Sequence, residues 1–290
     1  MAKYVANDDV DVLRIRSNVY AFRSNSQKGN PNGTALVGRD GTVLVDTSFS
    51  ALGATLRGRI ASLGGSVRLI INTAWHGDHT AANEHFIPEP IIAARSAARR
   101  RLLTQDIFDD GGRPILREAV PRLTFDQPVT FDYNDEEIRA IPMPNGHTDG
   151  DLIVYFVRSN VLAVGDYLLM ERWPVIDVEK NGASLRGYLE NIRWITESFP
   201  NDVTVVPGHS AFWPDAFHVA TLSDLGDFRS ELLASIELVR GYIDAGLPLA
   251  EASRRGLPER FARYDLRPRF ISQEGWIEKV YEAYAPATGS

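Results

Sequence analysis

The chain has no cysteine. That absence removes disulfides, thiol nucleophiles and thiolate metal ligands. Any bound metal must be held by nitrogen and oxygen. A surplus of positive charge is also missing: 31 Lys and Arg stand against 38 Asp and Glu, a formal net charge of −7. Such a balance argues against nucleic acid or an anionic membrane surface as a partner. No apolar run approaches the ~20 residues that cross a bilayer. Met1 to Asp11 is polar and acidic, without the apolar core of a signal peptide, so a cytoplasmic location is the default expectation. The remainder is ordinary for a protein with a substantial core: 290 residues, 44% hydrophobic and 24% charged. That length fits one large domain or two small ones.

Histidine is scarce too, with six in the chain, and four of these occupy similar positions. The apolar run Val67 to Ile71 leads directly into Asn72-Thr73-Ala74-Trp75-His76-Gly77-Asp78-His79-Thr80. A strand feeding such a cluster delivers imidazoles and a carboxylate from a rigid element onto a loop. His147 stands in Pro144-Asn145-Gly146-His147-Thr148, and His209 follows Val205-Val206-Pro207-Gly208. Asp166 ends another apolar run, Val161 to Gly165. Zinc, iron and manganese all accept these ligand types. His76, Asp78, His79, His147, Asp166 and His209 suffice for two metals at reduced coordination, or for one metal with supporting partners. His85 and His218 lie outside these contexts and read as structural or exposed.

The first half of the chain reads as strands joined by turns. Arg39-Asp40-Gly41, Asn134-Asp135-Glu136 and Arg158-Ser159-Asn160 are hairpin signals. The Asn-, Gly- and Pro-containing segment Ser24 to Gly33 reads as a mobile flap or a simple hairpin connection. Helical spacing appears at Leu52, Leu56, Ile60 and Leu63, and again from Leu185 to Phe199. Arg99-Arg100-Arg101 reads as a solvated helix face. Beyond Pro214 the character changes to a long helical stripe, Leu225, Phe228, Leu232, Ile236, Val239 and Ile243. Gly246 and Pro248 end it, and two further helices follow, the last carrying Trp276, Ile277, Val280 and Tyr281. The expected organisation is a main domain over 12–214 with a helical extension over 215–290 packed on it. The stripe either covers the main domain or makes a homo-oligomer contact.

With these motifs in hand, the chain resembles the metallo-β-lactamase-fold superfamily of hydrolases. The family pattern is His-x-His-x-Asp-His after a strand, a Gly-His-Thr, a Gly-Asp and a Gly-His, and matches run in order from His76 to His209. The strand end Val45-Asp46-Thr47 also fits. The resemblance implies an α/β fold, a four-layer αβ/βα sandwich of two mixed β-sheets, with the metal site at one edge between them. It implies that His76 and His147 serve a first metal, Asp78, His79 and His209 a second, and that Asp166 bridges them. It implies one or two Zn2+ ions, with Fe or Mn as alternatives. The implied chemistry is hydrolysis of a small-molecule ester, lactone, lactam, thioester or sulfate ester by a metal-bound hydroxide, which Asp78 orients or deprotonates.

One departure matters. The family's first histidine falls on Ala74, whose methyl group cannot coordinate a metal. The first site then keeps two imidazoles and a carboxylate, while the second is complete. Three readings stay open: a variant in which Ala replaced His and lowered activity, a natural mono-metal hydrolase, or a member that binds without catalysis. Trp75, Tyr167, Trp173 and Trp213 stand beside motif residues and either line an apolar pocket or belong to the core.

Overall fold

In the computed structural model, residues 9–26, 29–104, 115–211, 219–265 and 270–285 are described. Two mixed sheets form the centre. Sheet one runs in sequence order through β1 (Val10–Arg16), β2 (Val19–Ser24), β3 (Asn32–Gly38), β4 (Gly41–Val45), β5 (Val67–Ile71), β6 (Ile91–Ala94) and β7 (Leu123–Thr124). Its first four strands are antiparallel hairpins, and β4 to β7 are parallel. Sheet two has the order β12-β11-β10-β9-β8, comprising β8 (Val129–Tyr133), β9 (Glu136–Pro142), β10 (Leu152–Phe156), β11 (Val161–Leu169) and β12 (Thr204–His209). Only β11 and β12 are parallel there.

The alternation of side chains along each strand builds the layers. Val43 and Val45 of β4 face sheet two, whereas Leu44 faces outward. Leu152, Val154 and Phe156 of β10 face sheet one, and Ile153 and Tyr155 face the other way. Helix α1 (Ser50–Ser62) covers the outside of sheet one through Leu52, Leu56 and Ile60. The outer face of sheet two is covered by α5 (Leu185–Ser198) and α6 (Leu222–Asp244). The shorter helices are α2 (Gly77–Thr80), α3 (Ser96–Thr104), α4 (Val178–Asn181) and α7 (Leu249–Arg255), and α8 (Gln273–Tyr284) ends the described chain. The result is the αβ/βα sandwich that the sequence implies.

The stripe on α6 is used within the protomer. Leu225, Phe228, Leu232, Ile236 and Val239 are buried against sheet two, in one cluster with Trp276, Ile277 and Val280 of α8. Thr221 and Asp224 close a capping box at the start of α6. Trp173 is the anchor: its ring stacks on Trp276 at 5.1 Å and on Tyr264 at 4.6 Å. The Trp276 indole N–H donates to Ser235 Oγ at 2.9 Å. Trp173 and Tyr167 are therefore core residues; Trp213 and His218 lie outside the described residues. Among the described residues, no helix is long and apolar enough to cross a membrane.

One sequence expectation needs correction, and of the two readings of the 24–33 segment the hairpin connection between β2 and β3 holds. Only Arg100 of the basic run is a solvated side chain. Arg101 pairs with Asp149 at 2.6 Å and lies 5.6 Å from the Trp75 ring centroid, and Arg99 donates to the Pro121 carbonyl. The described part of the 24–33 segment is no free flap: Pro31 bridges to His209, Asn32 Nδ2 donates to the Pro207 carbonyl, and Ser210 N donates to the Asn30 carbonyl.

The stacked tail generates a stability prediction. Trp276→Ala removes a fully buried ring and one hydrogen bond to Ser235, whose hydroxyl keeps its bond to the Leu232 carbonyl, and is expected to cost about 3–5 kcal/mol. Urea unfolding reads this as a lower midpoint; a loss under about 1 kcal/mol would show that the tail is only loosely held.

Candidate metal centre

The candidate ligands come from the turn and short helix after β5, the loop between β9 and β10, the middle of β11 and the end of β12. Strand β5 stops at Ile71, and the chain turns through Asn72–Trp75 into α2, with His76 at its N-cap position. His147 stands on the loop between β9 and β10, Asp166 lies within β11, and His209 closes β12. Two glycines let the last two approach. Gly165 adopts φ +53°, where a Cβ would sit 2.7 Å from Thr73 Oγ1. At Gly208 a Cβ would lie 2.3 Å from Asp166 Oδ1. A side chain at Gly208 would push apart the strands that carry Asp166 and His209, and one at Gly165 would push Asp166 away from the Thr73 loop.

The assembled side chains form two triads: His76, His147 and Asp166, then Asp78, His79 and His209. Within each triad the ligand atoms lie within 4.8 Å of one another. Asp166 stands between the triads. Its Oδ2 is 3.2 Å from His147 Nε2, whereas its Oδ1 is 3.1 Å from His79 Nε2 and 3.4 Å from His209 Nε2. Asp78 Oδ2 lies 3.1 Å from His209 Nε2. The His76 and His147 rings meet edge to face at 4.7 Å. All six sequence candidates therefore converge. His85 stands apart, beside Ser50 and Glu84. Ala74 is buried.

Burial and mutual charge set the electrostatics. Burial drives the His76 pKa down to about 4, helped by the His147 charge. Burial also pushes His79 down, but the carboxylates of Asp166, Asp46 and Asp78 overcome it and hold His79 well above its ordinary value. Burial works against charge on Asp166 too, yet His79, His147 and His209 keep that carboxyl well below the usual range. Asp78 is likewise lowered, with His79 and His209 outweighing burial. His209 is lowered, chiefly by burial. Asp166 and Asp151 raise His147 against burial, so the directions describe a dry pocket in which carboxylates and imidazoles hold one another's charge.

Among the described residues, His79 Nε2, His209 Nε2 and Asp166 Oδ1 are buried with no hydrogen-bond partner. Buried polar atoms without partners are costly, and three that face one another point to something that satisfies them together. Two imidazole nitrogens and a carboxylate oxygen suit a divalent cation.

The sequence did not reveal the residues that hold the ligands in place. Asp46 accepts from Thr73 N at 2.8 Å and Thr73 Oγ1 at 2.6 Å, and lies 2.8 Å from His79 Nδ1. Its backbone is left-handed, φ +62°, which few residues besides Asn and Asp tolerate. Asp151 accepts from Thr148 N and from the Tyr167 hydroxyl, close to His147. The Tyr188 hydroxyl donates to the Asp166 carbonyl at 2.7 Å. Phe270, from the tail, packs edge-on against the His209 ring at 4.7 Å, and Arg172 lies 5.3 Å from the Phe270 ring centroid. Of these, only the Val45-Asp46-Thr47 strand end left a signal in the sequence.

Comparison with known proteins shows the family and the fold. The description "Metallo-beta-lactamase superfamily" matches residues 27–243. The chain belongs to the metallo-β-lactamase superfamily. Among solved superfamily-like structures, a metallo-β-lactamase from Pontibacter korlensis is similar at TM-score 0.62 and 19% identity, over 77% of this chain and 98% of that one. The DIM-1 metallo-β-lactamase gives 0.58 and 17%, over 77% and 96%. A double mutant of the sec-alkyl sulfatase PisA1 gives 0.65 and 15%, over 94% of this chain and 50% of that one. The chain thus spans half of that sulfatase's length, and at these identities the likeness is one of fold.

Asp46 is the largest charged support for His79 outside the triads. Asp46→Asn removes that negative charge, so the His79 pKa is expected to fall. A ring-nitrogen NMR titration of the metal-free protein reads this directly, and an unmoved His79 would refute Asp46 as the residue holding it.

Proposed function

We propose that this chain is a metal-dependent hydrolase of a small-molecule ester, lactone, lactam, thioester or sulfate ester, with Ala74 limiting its activity. The observation that carries the reading is Asp166, whose two carboxylate oxygens face different triads. Asp78, His79 and His209 would hold one divalent ion, and His76, His147 and Asp166 the other. Zinc suits this ligand set, and Fe or Mn are alternatives. A bound ion supplies Lewis acidity and makes water a usable nucleophile at neutral pH.

The rest of the work falls to the chain. Asp78 remains ionised and is more open than the other triad carboxylate, with a side chain 15% exposed against 5% for Asp166. Its Oδ2 faces His209 Nε2 at 3.1 Å, while Oδ1 stays 4.0 Å from His79 Nε2. Oδ1 is thus the atom that accepts a proton from an attacking water. Asp46 orients His79 through Nδ1, leaving Nε2 to face the pocket. Phe270 shields one side of His209 from water. The sulfatase likeness, which reaches into the tail, keeps sulfate esters in the substrate list.

A second reading has its own support. With Ala74 in place, the first triad has one imidazole fewer than the family pattern, so a mono-metal hydrolase or a non-catalytic binder is the alternative. Metal content of protein purified without chelator separates the readings: near two equivalents supports the assembled hydrolase, near one the mono-metal form, near zero the inactive form.

Within the proposed function, the Asp78, His79 and His209 set is complete and should be the tighter site. His209→Ala is therefore expected to lose most of the bound metal; metal content equal to the parent's would refute this set.

Ala74→His is expected to raise metal occupancy at the first triad. It should also increase hydrolysis of nitrophenyl esters and sulfates on the order of 100-fold, the scale on which a misplaced reacting group costs rate. Ala74 is buried, so a melting temperature close to the parent's is needed to show that the imidazole is accommodated. A folded variant with no more metal and no more activity would mean that Ala74 is not a missing ligand.

A further inference from the structure

The imidazoles of the metal centre are not anchored alike. An imidazole that binds a metal is ordinarily fixed by a hydrogen bond at its other ring nitrogen. His79 has one, from Nδ1 to Asp46. His147 Nδ1 lies 3.6 Å from Asp151. Among the described residues, the His76 ring makes no hydrogen bond. It is braced by rings instead, Trp75 at 4.6 Å and His147 at 4.7 Å, each edge to face. His76 and His147 also come from different loops, so their separation needs a tie that neither loop supplies alone.

Arg101 of α3 closes these contacts into a ring. Its guanidinium carbon lies 5.6 Å from the Trp75 ring centroid, within reach of a cation–π contact. Its Nε and Nη2 donate to Asp149 Oδ1 and Oδ2 at 2.6 and 2.8 Å, a two-pronged pair. Its Nη1 donates to the Lys180 carbonyl. Arg100 adds a longer contact to Asp149 at 3.4 Å. Trp75 directly precedes His76, and Asp149 stands two residues after His147. The path therefore runs from Arg101 through Trp75, His76, His147 and Asp149 back to Arg101. The seat of the fork is built for it: Gly182 has φ +62°, and a Cβ there would lie 2.7 Å from Arg101 Nη2 and 3.0 Å from Asp149 Cβ. The Arg101 and Asp149 side chains are only 13% and 17% exposed, so this is not the weak pair of an open surface. Helix α3 is held without it, because Ala98 and Leu102 pack with Ala94 and Val120, and Arg99 donates to the Pro121 carbonyl. What the pair adds is a fixed reach from α3 to the His147 loop.

We propose that Arg101 is a positioning residue of the first triad. Its grip on Asp149 and its place against Trp75 set the separation of His76 from His147, and through it the hold of that triad on an ion. Arg101 acts through its neighbours and is not itself a ligand. The part concerning the ion rests on the proposed function; the part concerning the two rings concerns the metal-free chain alone.

The test has two readouts on the full chain. Histidine-selective isotope labelling reports the His76–His147 ring contact in metal-free protein by cross-relaxation. Titration with Co2+, followed by absorbance, reports the binding steps, assigned by which one His76→Ala removes and which one His209→Ala removes. In Arg101→Gln the ring contact is expected to weaken, and the His76-dependent step to weaken on the order of 10-fold, the scale for residues that orient metal ligands. The His209-dependent step should stay at the parent's affinity. Arg101→Lys, the milder change, keeps the charge but not the fork and should move both readouts the same way. Asp149→Asn should match Arg101→Gln, and the double variant should be no worse than either, because both break one link. The proposal is overturned if the ring contact survives in Arg101→Gln and Arg101→Lys, if both binding steps weaken equally, as a merely structural role would have it, or if the two substitutions add. A parent that binds a single ion would sink the two-ion reading and the part of the proposal that concerns the ion, while the ring contact would still decide whether Arg101 positions His76.

Discussion

A carboxylate removed from water persists as an anion only when cationic or hydrogen-bonding groups surround it. Asp166 is that carboxylate. Its oxygens meet three imidazoles contributed by three separate stretches of chain, at 3.1 to 3.4 Å. Removing one partner would leave a buried charge uncompensated, a much larger cost than losing a surface ion pair. The strand ends of both sheets are thus obliged to meet at one point, and the backbone around that point is shaped accordingly. Gly165, Gly208 and the left-handed Asp46 mark where the fold accepts unusual geometry so that the meeting can occur.

The loops bearing the ligands are tied down by neighbours that carry no metal chemistry. Leu152 N donates to the Thr73 carbonyl, joining the His147 and His76 loops through backbone alone. Arg101 reaches from α3 to Asp149 and lies near Trp75, so one side chain touches residues next to both loops. The 24–33 connection grips the strand that ends at His209. A ligand set built this way is preorganised: little conformational freedom is left to lose when a ligand binds.

Much of this was legible in the sequence, for physical reasons. The strands β4, β10 and β11 stand out as short apolar runs because both of their faces are buried, and the 3.6-residue period of α5 and α6 marks their inner stripes. The six candidate ligands follow or interrupt apolar runs or stand in glycine-containing turns, where a His or Asp is conspicuous in the sequence even though Asp166 lies inside β11 and Asp78 and His79 lie on α2. What the sequence concealed depends on tertiary placement. Nothing local distinguishes Asp151 from any other aspartate in a turn, or Arg101 from a solvated helix arginine, until distant partners arrive. Phe270 shows the same limit: its contact with His209 joins segments far apart in the chain, which no short-range pattern encodes.

That contact also bears on the order in which the protein is made. His209 is covered by an aromatic ring from the tail, and the tail is fastened by Trp276 stacking on Trp173. During synthesis the N-terminal sheet emerges first, but the centre between the sheets lacks its last wall until the C-terminal helices have left the ribosome. A pocket dominated by such long-range contacts forms late. A cation that binds only the finished arrangement would then act as a clasp, favouring the folded chain by mass action after assembly instead of seeding it.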